Sequence, residues 1–223
     1  MTKHYALIPA KEESSRCINK NWRKFIGDRS LVDFAISTVP SGIFEKISIS
    51  TDKLDFVAPK GVVKHLRRKS MATKNSCVKD VIRLLIEEYD VADNDYLWLL
   101  NPTSPFRARG DYASITGIIK THRPDSVVSA LKLHPFIWKD GKPLFETKGK
   151  RKNTEDFKEE YLVENGMFYV FRAGAFCRTH SWYSGKVCLY RQKGMWPSVD
   201  IDTEEDFIEA QELAKMWTGK KRR

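Results

Sequence analysis

The chain is poor in the residues that build zinc or disulfide scaffolds. Its four cysteines, Cys17, Cys77, Cys177 and Cys188, form no CxxC pair, and its five histidines stand at no zinc-ligand spacing. They are expected to be free, mostly buried thiols of a reducing compartment. No apolar run is long enough to span a bilayer, and Met1–Pro9 carries no signal-peptide core before its proline. A cytoplasmic protein with no membrane partner is expected. The loop after the first apolar run contains neither G-x-G-x-x-G nor a Walker A sequence, so dinucleotide and P-loop readings lose their support. No internal repeat or low-complexity tract occurs.

Positive charge, in contrast, is plentiful. The 223 residues carry a net charge of +10, partly gathered at Lys64, Arg67, Arg68 and Lys69, at Lys148 and Lys150–Lys152, and in a tail, 220–223, expected to be disordered. Such an excess suits nucleic acid or an anionic small substrate. No aromatic RNP strand or helix-turn-helix accompanies it, so nucleic acid is not the expected partner.

Strand-like runs alternate with amphipathic segments. Strands are expected at Tyr5–Pro9, Lys46–Ser50, Val62–Leu66, Tyr96–Leu100, Ser126–Leu131, Gly166–Arg172 and Val187–Tyr190. Helical spacing marks Leu31–Val39, Ser76–Tyr89, Tyr112–Lys120 and Glu204–Trp217; the last should bury Phe207, Ile208, Leu213 and Met216. This rhythm gives an α/β fold, a mostly parallel sheet with helices on both faces. It breaks after Leu131, where Asp140-Gly141 reads as a hairpin turn. Residues 1–219 are expected to form one domain, with an insertion at about 132–160 too polar for a core of its own.

Three segments concentrate polar chemistry. Asp200 and Asp202 stand two apart, on one side of an extended segment, before Thr203-Glu204-Glu205-Asp206, which reads as a helix start. Two hard carboxylates on one side suit Mg²⁺ with polyphosphate, although acids before a helix also serve as plain capping residues. The loop from Pro9 to Asn21 offers Lys11, Arg16 and Lys20 with the Ser14 and Ser15 hydroxyls, either a grip for a triphosphate or a solvated basic loop. Leu99–Arg107 is stiffened by two prolines around Asn101, Thr103 and Ser104. Asn165 could bond a sugar hydroxyl or acetamido group, and Gly166 permits close approach, unless the pair is an ordinary turn.

Taken in order, Ile8-Pro-Ala-Lys, Ser14-Ser-Arg, Lys20-Asn21, Ser50-Thr-Asp52, Pro102-Thr-Ser-Pro-Phe-Arg107, Ser126-Val-Val-Ser129, His134-Pro135, Asn165-Gly166 with Tyr169, and Asp200-Ile-Asp-Thr-Glu resemble the cytidylyltransferases that activate acidic sugars, over nearly the whole chain. Lys20-Asn21 and Pro102-Thr-Ser-Pro fit the N-acetylneuraminate type better than the octulosonate type. The resemblance implies a Rossmann-like nucleotidyltransferase domain whose insertion is a dimerisation arm, hence a homodimer. It also implies CTP and an acidic sugar as substrates, Mg²⁺ as cofactor, and CMP-sugar and pyrophosphate as products. By position, Ala10, Lys11, Ser14, Arg16, Lys20, Asn21, Arg67 and Asn101 belong to the nucleotide, Asn165 and Gly166 to the sugar, and Asp200 and Asp202 to the metal. Arg16, Lys20, Asp200 and Asp202 then carry catalysis.

The chain departs from that pattern at Lys11, at Glu12-Glu13 in place of glycines, at Ser15, at Lys74-Asn75, and at Asn101 in place of glutamine. The two glutamates must point away from a bound triphosphate. A family member that binds without turnover, an enzyme for another triphosphate, and a basic nucleic-acid binder are the competing expectations.

Overall fold

The computed structural model describes residues 2–73, 76–133, 136–147, 153–157 and 160–217. Lys74-Asn75, His134-Pro135, the basic cluster at 148–152 and the tail lie outside the described residues. The chain begins with β1 (His4–Pro9), a short hairpin of β2 (Lys24–Ile26) and β3 (Arg29–Ser30), then α1 (Leu31–Thr38), β4 (Lys46–Thr51) and β5 (Val63–Leu66). It continues through α2 (Val78–Glu88), β6 (Tyr96–Leu99), α3 (Arg109–His122), β7 (Ser126–Lys132) and a hairpin of β8 (Trp138–Lys139) and β9 (Lys142–Pro143). The last elements are β10 (Leu162–Arg172), α4 (Ala173–Thr179), β11 (Val187–Gln192) and α5 (Glu204–Met216).

Seven strands form one sheet in the order β11-β7-β10-β6-β1-β4-β5. Every pair is parallel except those of β10, which runs antiparallel to both β6 and β7. Alternation along β1 shows why both faces are covered. Ala6 and Ile8 pack with Val32 and Ala35 of α1 and with Tyr112, Ile115 and Ile119 of α3. Tyr5 and Leu7 face the other way, onto Val81, Ile82, Leu85 and Ile86 of α2 and Phe176 of α4. The stripe that spacing anticipated was Val78, Val81, Ile82, Leu85 and Ile86; Val78 is only half-buried, and each of the other four contributes on the order of 1.5–3 kcal/mol on leaving water. A third cluster, with Phe25, Leu31, Phe34, Phe106, Ile201 and Phe207, fastens α5 to the β2–β3 hairpin and to the loop after β6.

Four expectations are corrected. The long strand β10 begins at Leu162, ahead of the expected Gly166, and carries an irregularity between Glu164 and Tyr169. Gly166 lies within it at φ +70°, a conformation that glycine tolerates best. The inner face of α5 is Phe207, Ala210 and Ala214, with Leu213 at its edge, whereas Ile208 and Met216 are exposed. Small alanines let the helix approach the hairpin more closely than a bulky stripe would. The cysteines are all free, but only Cys17 is buried, and Cys77 and Cys177 are exposed. The two aspartates, expected in an extended segment, lie outside any strand, and a short 3-10 turn at Trp196–Ser198 precedes them. The Asp140-Gly141 turn forms as expected, with both residues at positive φ joining β8 to β9.

Candidate active site

The parallel strands β1, β4, β5 and β6 all end on one side of the sheet, where their loops meet. Because β10 runs the opposite way, its early residues reach that same side. These loops enclose a cleft of roughly 760 Å³. Of the residues assigned to the nucleotide from sequence, Lys11, Ser14, Arg16, Lys20, Asn21, Arg67 and Asn101 all line it. Ala10 is fully buried, and its N–H donates to the Ser50 carbonyl at 2.8 Å, so it fixes the root of the loop instead.

The acidic couple folds back onto the cationic loop, bridging separations of 182 and 186 residues. Arg16 Nη2 donates to Asp202 Oδ1 at 2.8 Å, and Lys20 Nζ reaches the same oxygen at 3.3 Å and also bonds the Ile201 carbonyl. One turn further, Arg23 Nη2 donates to Glu204 Oε1 at 2.8 Å. The intervening Ile201 is wholly buried, and its N–H donates to the Thr103 carbonyl at 2.9 Å. That bond anchors the acidic segment to the loop after β6. The α5 N-terminus holds it from behind: Thr203 Oγ1 accepts from the Asp206 N–H, while Asp206 Oδ2 accepts from the Asp202 and Thr203 N–H groups at 2.9 and 2.8 Å. Those backbone donors keep the Asp206 carboxyl below the usual range.

Asp200 behaves differently from Asp202. The residue is exposed, yet the protein packed against its carboxyl removes enough water to raise that group above the usual range. The charge of Asp202 adds to that rise, while a bond from Thr103 and the charge of Lys20 oppose it. No group of three or more His, Cys, Asp or Glu poised for a metal occurs among the described residues. Two neighbouring carboxylates, one of them destabilised as an anion, would still fit a hard divalent cation.

Arg67 is only 4% exposed, a partly hidden charge of the cleft wall. Nε donates to Ser50 Oγ at 3.1 Å and Nη2 to the Ser50 carbonyl at 2.7 Å, and no carboxylate pairs with it among the described residues. Burial and the nearby Arg67 charge lower the Lys11 ammonium pKa. Lys11 Nζ donates to the Thr73 carbonyl at 2.5 Å across the mouth of the cleft. The charge of Asp52 partly offsets both cations, though no carboxylate makes an ion pair with either among the described residues, so the wall remains cationic. Two buried acceptors or donors also lack partners here: Asn21 Oδ1 and Ser104 Oγ. Of the two departing glutamates, Glu12 faces Lys53 at 3.3 Å, outside the cleft, and Glu13 lines it.

Asn101 Nδ2 donates to the Gly166 carbonyl at 2.9 Å, joining the two segments assigned to nucleotide and sugar. A Cβ on Gly166 would stand 3.7 Å from Ser104 Oγ and 4.0 Å from Asp200 Oδ2, which places the glycine beside the acidic pair. Asn165 is not available in the same way. Its Nδ2 donates to Gln192 Oε1 and to the Pro197 carbonyl, both at 2.8 Å, and its Oδ1 accepts from Ser129 Oγ at 2.6 Å. The side chain expected to bond a sugar is therefore a strut between β7, β10 and β11. Thr103 and Ser104 do more than the sequence indicated, and Asp206 and Arg23 were not singled out; the capping pattern after Thr203 was the available signal for Asp206.

The doubly covered, mostly parallel sheet has the Rossmann-like fold that solved cytidylyltransferases share, and the cation-walled cleft lies at the carboxyl ends of its strands. Solved structures of that fold superpose over nearly the whole chain. A CMP:2-keto-3-deoxy-manno-octonic acid synthetase complexed with CTP gives a TM-score of 0.64 at 14% identity, covering 96% of this chain and 99% of the other. The Francisella tularensis 2-C-methyl-D-erythritol 4-phosphate cytidylyltransferase gives 0.66 at 12% identity, covering 97% and 100%.

The sequence resembles acidic-sugar cytidylyltransferases in particular. It is 28% identical to the CMP-N,N'-diacetyllegionaminic acid synthase of Legionella pneumophila, over 95% of this chain and 96% of that protein. It is 24% identical to the N-acylneuraminate cytidylyltransferase of Streptococcus agalactiae, over 92% of this chain and 52% of that protein. The chain thus spans about half the length of the streptococcal relative and nearly all of the Legionella one. No family model matches it. No helix among the described residues is long and apolar enough to cross a membrane.

Proposed function

We propose that this chain is a nucleotidyltransferase that moves CMP from CTP to the anomeric hydroxyl of a nonulosonic or related acidic sugar. The hydroxyl oxygen attacks the α-phosphorus in line, the bond from that phosphorus to the bridging oxygen breaks, pyrophosphate leaves and the hydroxyl proton is released. The observation that carries this reading is the meeting of Asp202 with Arg16 and Lys20, two residues of a cleft whose walls also hold Lys11, Arg67 and Asn101. Little covalent chemistry falls to the protein in such a reaction, so positioning and charge stabilisation supply most of the rate. Arg16, Lys20 and Lys11 offset charge on the departing pyrophosphate. Asn101 and Gly166 bring the nucleotide and sugar sides together.

Asp200 and Asp202 are the residues that would hold Mg²⁺. When bound, the ion supplies charge neutralisation at the phosphates and acidifies a coordinated hydroxyl. The same reading includes a homodimer formed through the 132–160 arm, where Trp138 and Leu144 present apolar surface. The names of the Legionella and streptococcal relatives support acidic sugars as acceptors, and the CTP complex of the octonic acid synthetase supports the nucleotide.

The test is pyrophosphate release from each of four ribonucleoside triphosphates with Mg²⁺ and a set of acidic sugars. Release confined to CTP and dependent on a sugar is expected; release with another triphosphate, or independent of sugar, overturns the assignment. Glu13 on the cleft wall favours a second reading, a chain that binds without turnover. That reading predicts thermal stabilisation by CTP with no pyrophosphate released.

A further inference from the structure

His65 is a buried titratable side chain that takes no direct part in the transfer. It lies on the edge strand β5, opposite Ser50 of β4, and only 5% of it is exposed. Two residues further on, Arg67 lines the cleft. The Ser50 hydroxyl joins the two side chains. It stands 2.8 Å from His65 Nδ1, and its oxygen accepts from Arg67 Nε at 3.1 Å. Arg67 Nη2 donates to the carbonyl of the same serine at 2.7 Å, and that carbonyl also accepts from the Ala10 N–H at 2.8 Å. Ser50 therefore supports both the Arg67 fork and the root of the cationic loop.

Hydrogen-bonding capacity fixes the direction of this chain of contacts. His65 Nε2 faces Glu88 Oε2 at 3.3 Å without completing a hydrogen bond. A proton on Nε2 attracts that carboxylate, whereas a bare lone pair would be repelled by it. The neutral ring thus carries its proton on Nε2 and presents Nδ1 as an acceptor. Burial, helped by the Arg67 charge and opposed by that of Glu88, lowers the imidazole pKa and keeps the ring neutral near pH 7. Ser50 has a single hydroxyl proton, and His65 takes it. The lone pairs of the oxygen are then left to Arg67. With that proton free to turn, it could meet the Arg67 Nε–H donor to donor, and the fork would lose one of its two points. No carboxylate takes over the role: the Asp52 charge acts on Arg67 without an ion pair among the described residues.

We propose, on the reading that the cleft takes CTP, that His65 is a positioning residue: through the Ser50 hydroxyl it holds Arg67 in the orientation that receives the nucleotide. His65 does not itself line the cleft, so its effect passes through Arg67.

The experiment is a double-mutant cycle on CTP affinity, measured by calorimetry on the full chain with the Tm of every variant recorded. His65→Leu fills the space without an acceptor. His65→Asn keeps an acceptor where Nδ1 stands. His65→Gln moves the amide away from Ser50 and takes the place of the leucine variant should that one not fold. His65→Leu is expected to weaken CTP binding about fivefold or more and His65→Asn less than about twofold; added to Arg67→Gln, His65→Leu should cost less than about twofold beyond Arg67→Gln alone. Losses that multiply in the double variant, a fall in His65→Asn equal to that in His65→Leu, or parental affinity in His65→Leu overturns the proposal. A parent that binds no CTP refutes the cytidylyl transfer and this role with it, whereas a parent that binds CTP and shows independent losses refutes the role alone.

Discussion

Replacing Asp202 by asparagine separates its electrostatic role from its structural one. The substitution keeps size and shape and removes the charge that Arg16 and Lys20 approach at 2.8 and 3.3 Å. The Arg16 side chain is 69% exposed and that of Asp202 40%, so solvent screens the Arg16 pair, whereas Lys20 is only 13% exposed and its longer contact is screened mainly from the Asp202 side. Pairs of this kind each contribute about 0.2–1 kcal/mol. For a domain of this length 1 kcal/mol corresponds to roughly 2–4 °C in Tm. The Asp202 N–H remains bonded to Asp206, so the α5 cap survives. Asp202→Asn is therefore expected to melt within a few degrees of the parent. If Asp202 holds the cation and orders the phosphate-facing residues, pyrophosphate release should nevertheless fall about 10²-fold or more, the scale for removing a principal electrostatic contact. CTP binding measured without Mg²⁺ should hold or tighten, because two cations lose their internal partner. Pyrophosphate release within twofold of the parent in a well-folded variant refutes the catalytic role. A loss of activity matched by a collapse in Tm refutes the separation of the two roles.

Three further outcomes follow from the same geometry. The raised Asp200 pKa means that the fold binds this proton better than the unfolded chain, so its contribution favours the fold at low pH and is lost as pH rises from the ordinary carboxylate range through the folded pKa. In metal-free thermal melts Asp200→Asn should therefore be more stable than the parent at pH 7, with the gain vanishing below about pH 3; a lower Tm at pH 7 contradicts this. Gly166→Ala meets its neighbours only at ordinary contact distances, so the cost comes from φ +70° and is expected to be about 1–2 kcal/mol by denaturant unfolding. Phe207→Ala should cost about 3–5 kcal/mol and Ile208→Ala less than about 0.5 kcal/mol, and the reverse order in urea melts would place the wrong face of α5 inward.

Much of the fold was legible because periodicity reports burial directly. The α2 stripe and the continuous apolar run of β6 each had one consistent reading, and both lie where they were expected. The α5 face was not legible, because Ile208 and Met216 outweigh Ala210 and Ala214 in hydrophobicity while the close approach to the hairpin selects the small residues. The antiparallel sense of β10 leaves no local mark, and Glu164-Asn165-Gly166 looks like a turn because the strand is irregular there. In the site, residue types disclosed the charge but not its partners. Arg16 and Lys20 read as phosphate ligands, and their shared contact with Asp202 joins segments more than 180 residues apart. Asn165 shows the opposite limit: the groups that absorb its amide, on Ser129, Gln192 and Pro197, are distant in sequence, so a half-buried strut looked like a free recognition group.

The most direct test of the proposed transfer is product identity. The full chain is incubated with CTP, Mg²⁺ and a panel of α-keto acid sugars, including N-acetylneuraminate, diacetyllegionaminate and 3-deoxy-manno-octulosonate, and the mixture is read by mass spectrometry. The account predicts a CMP conjugate of at least one acidic sugar, formed together with equimolar pyrophosphate. CTP recovered intact with every sugar, under conditions where the chain is folded, would contradict it.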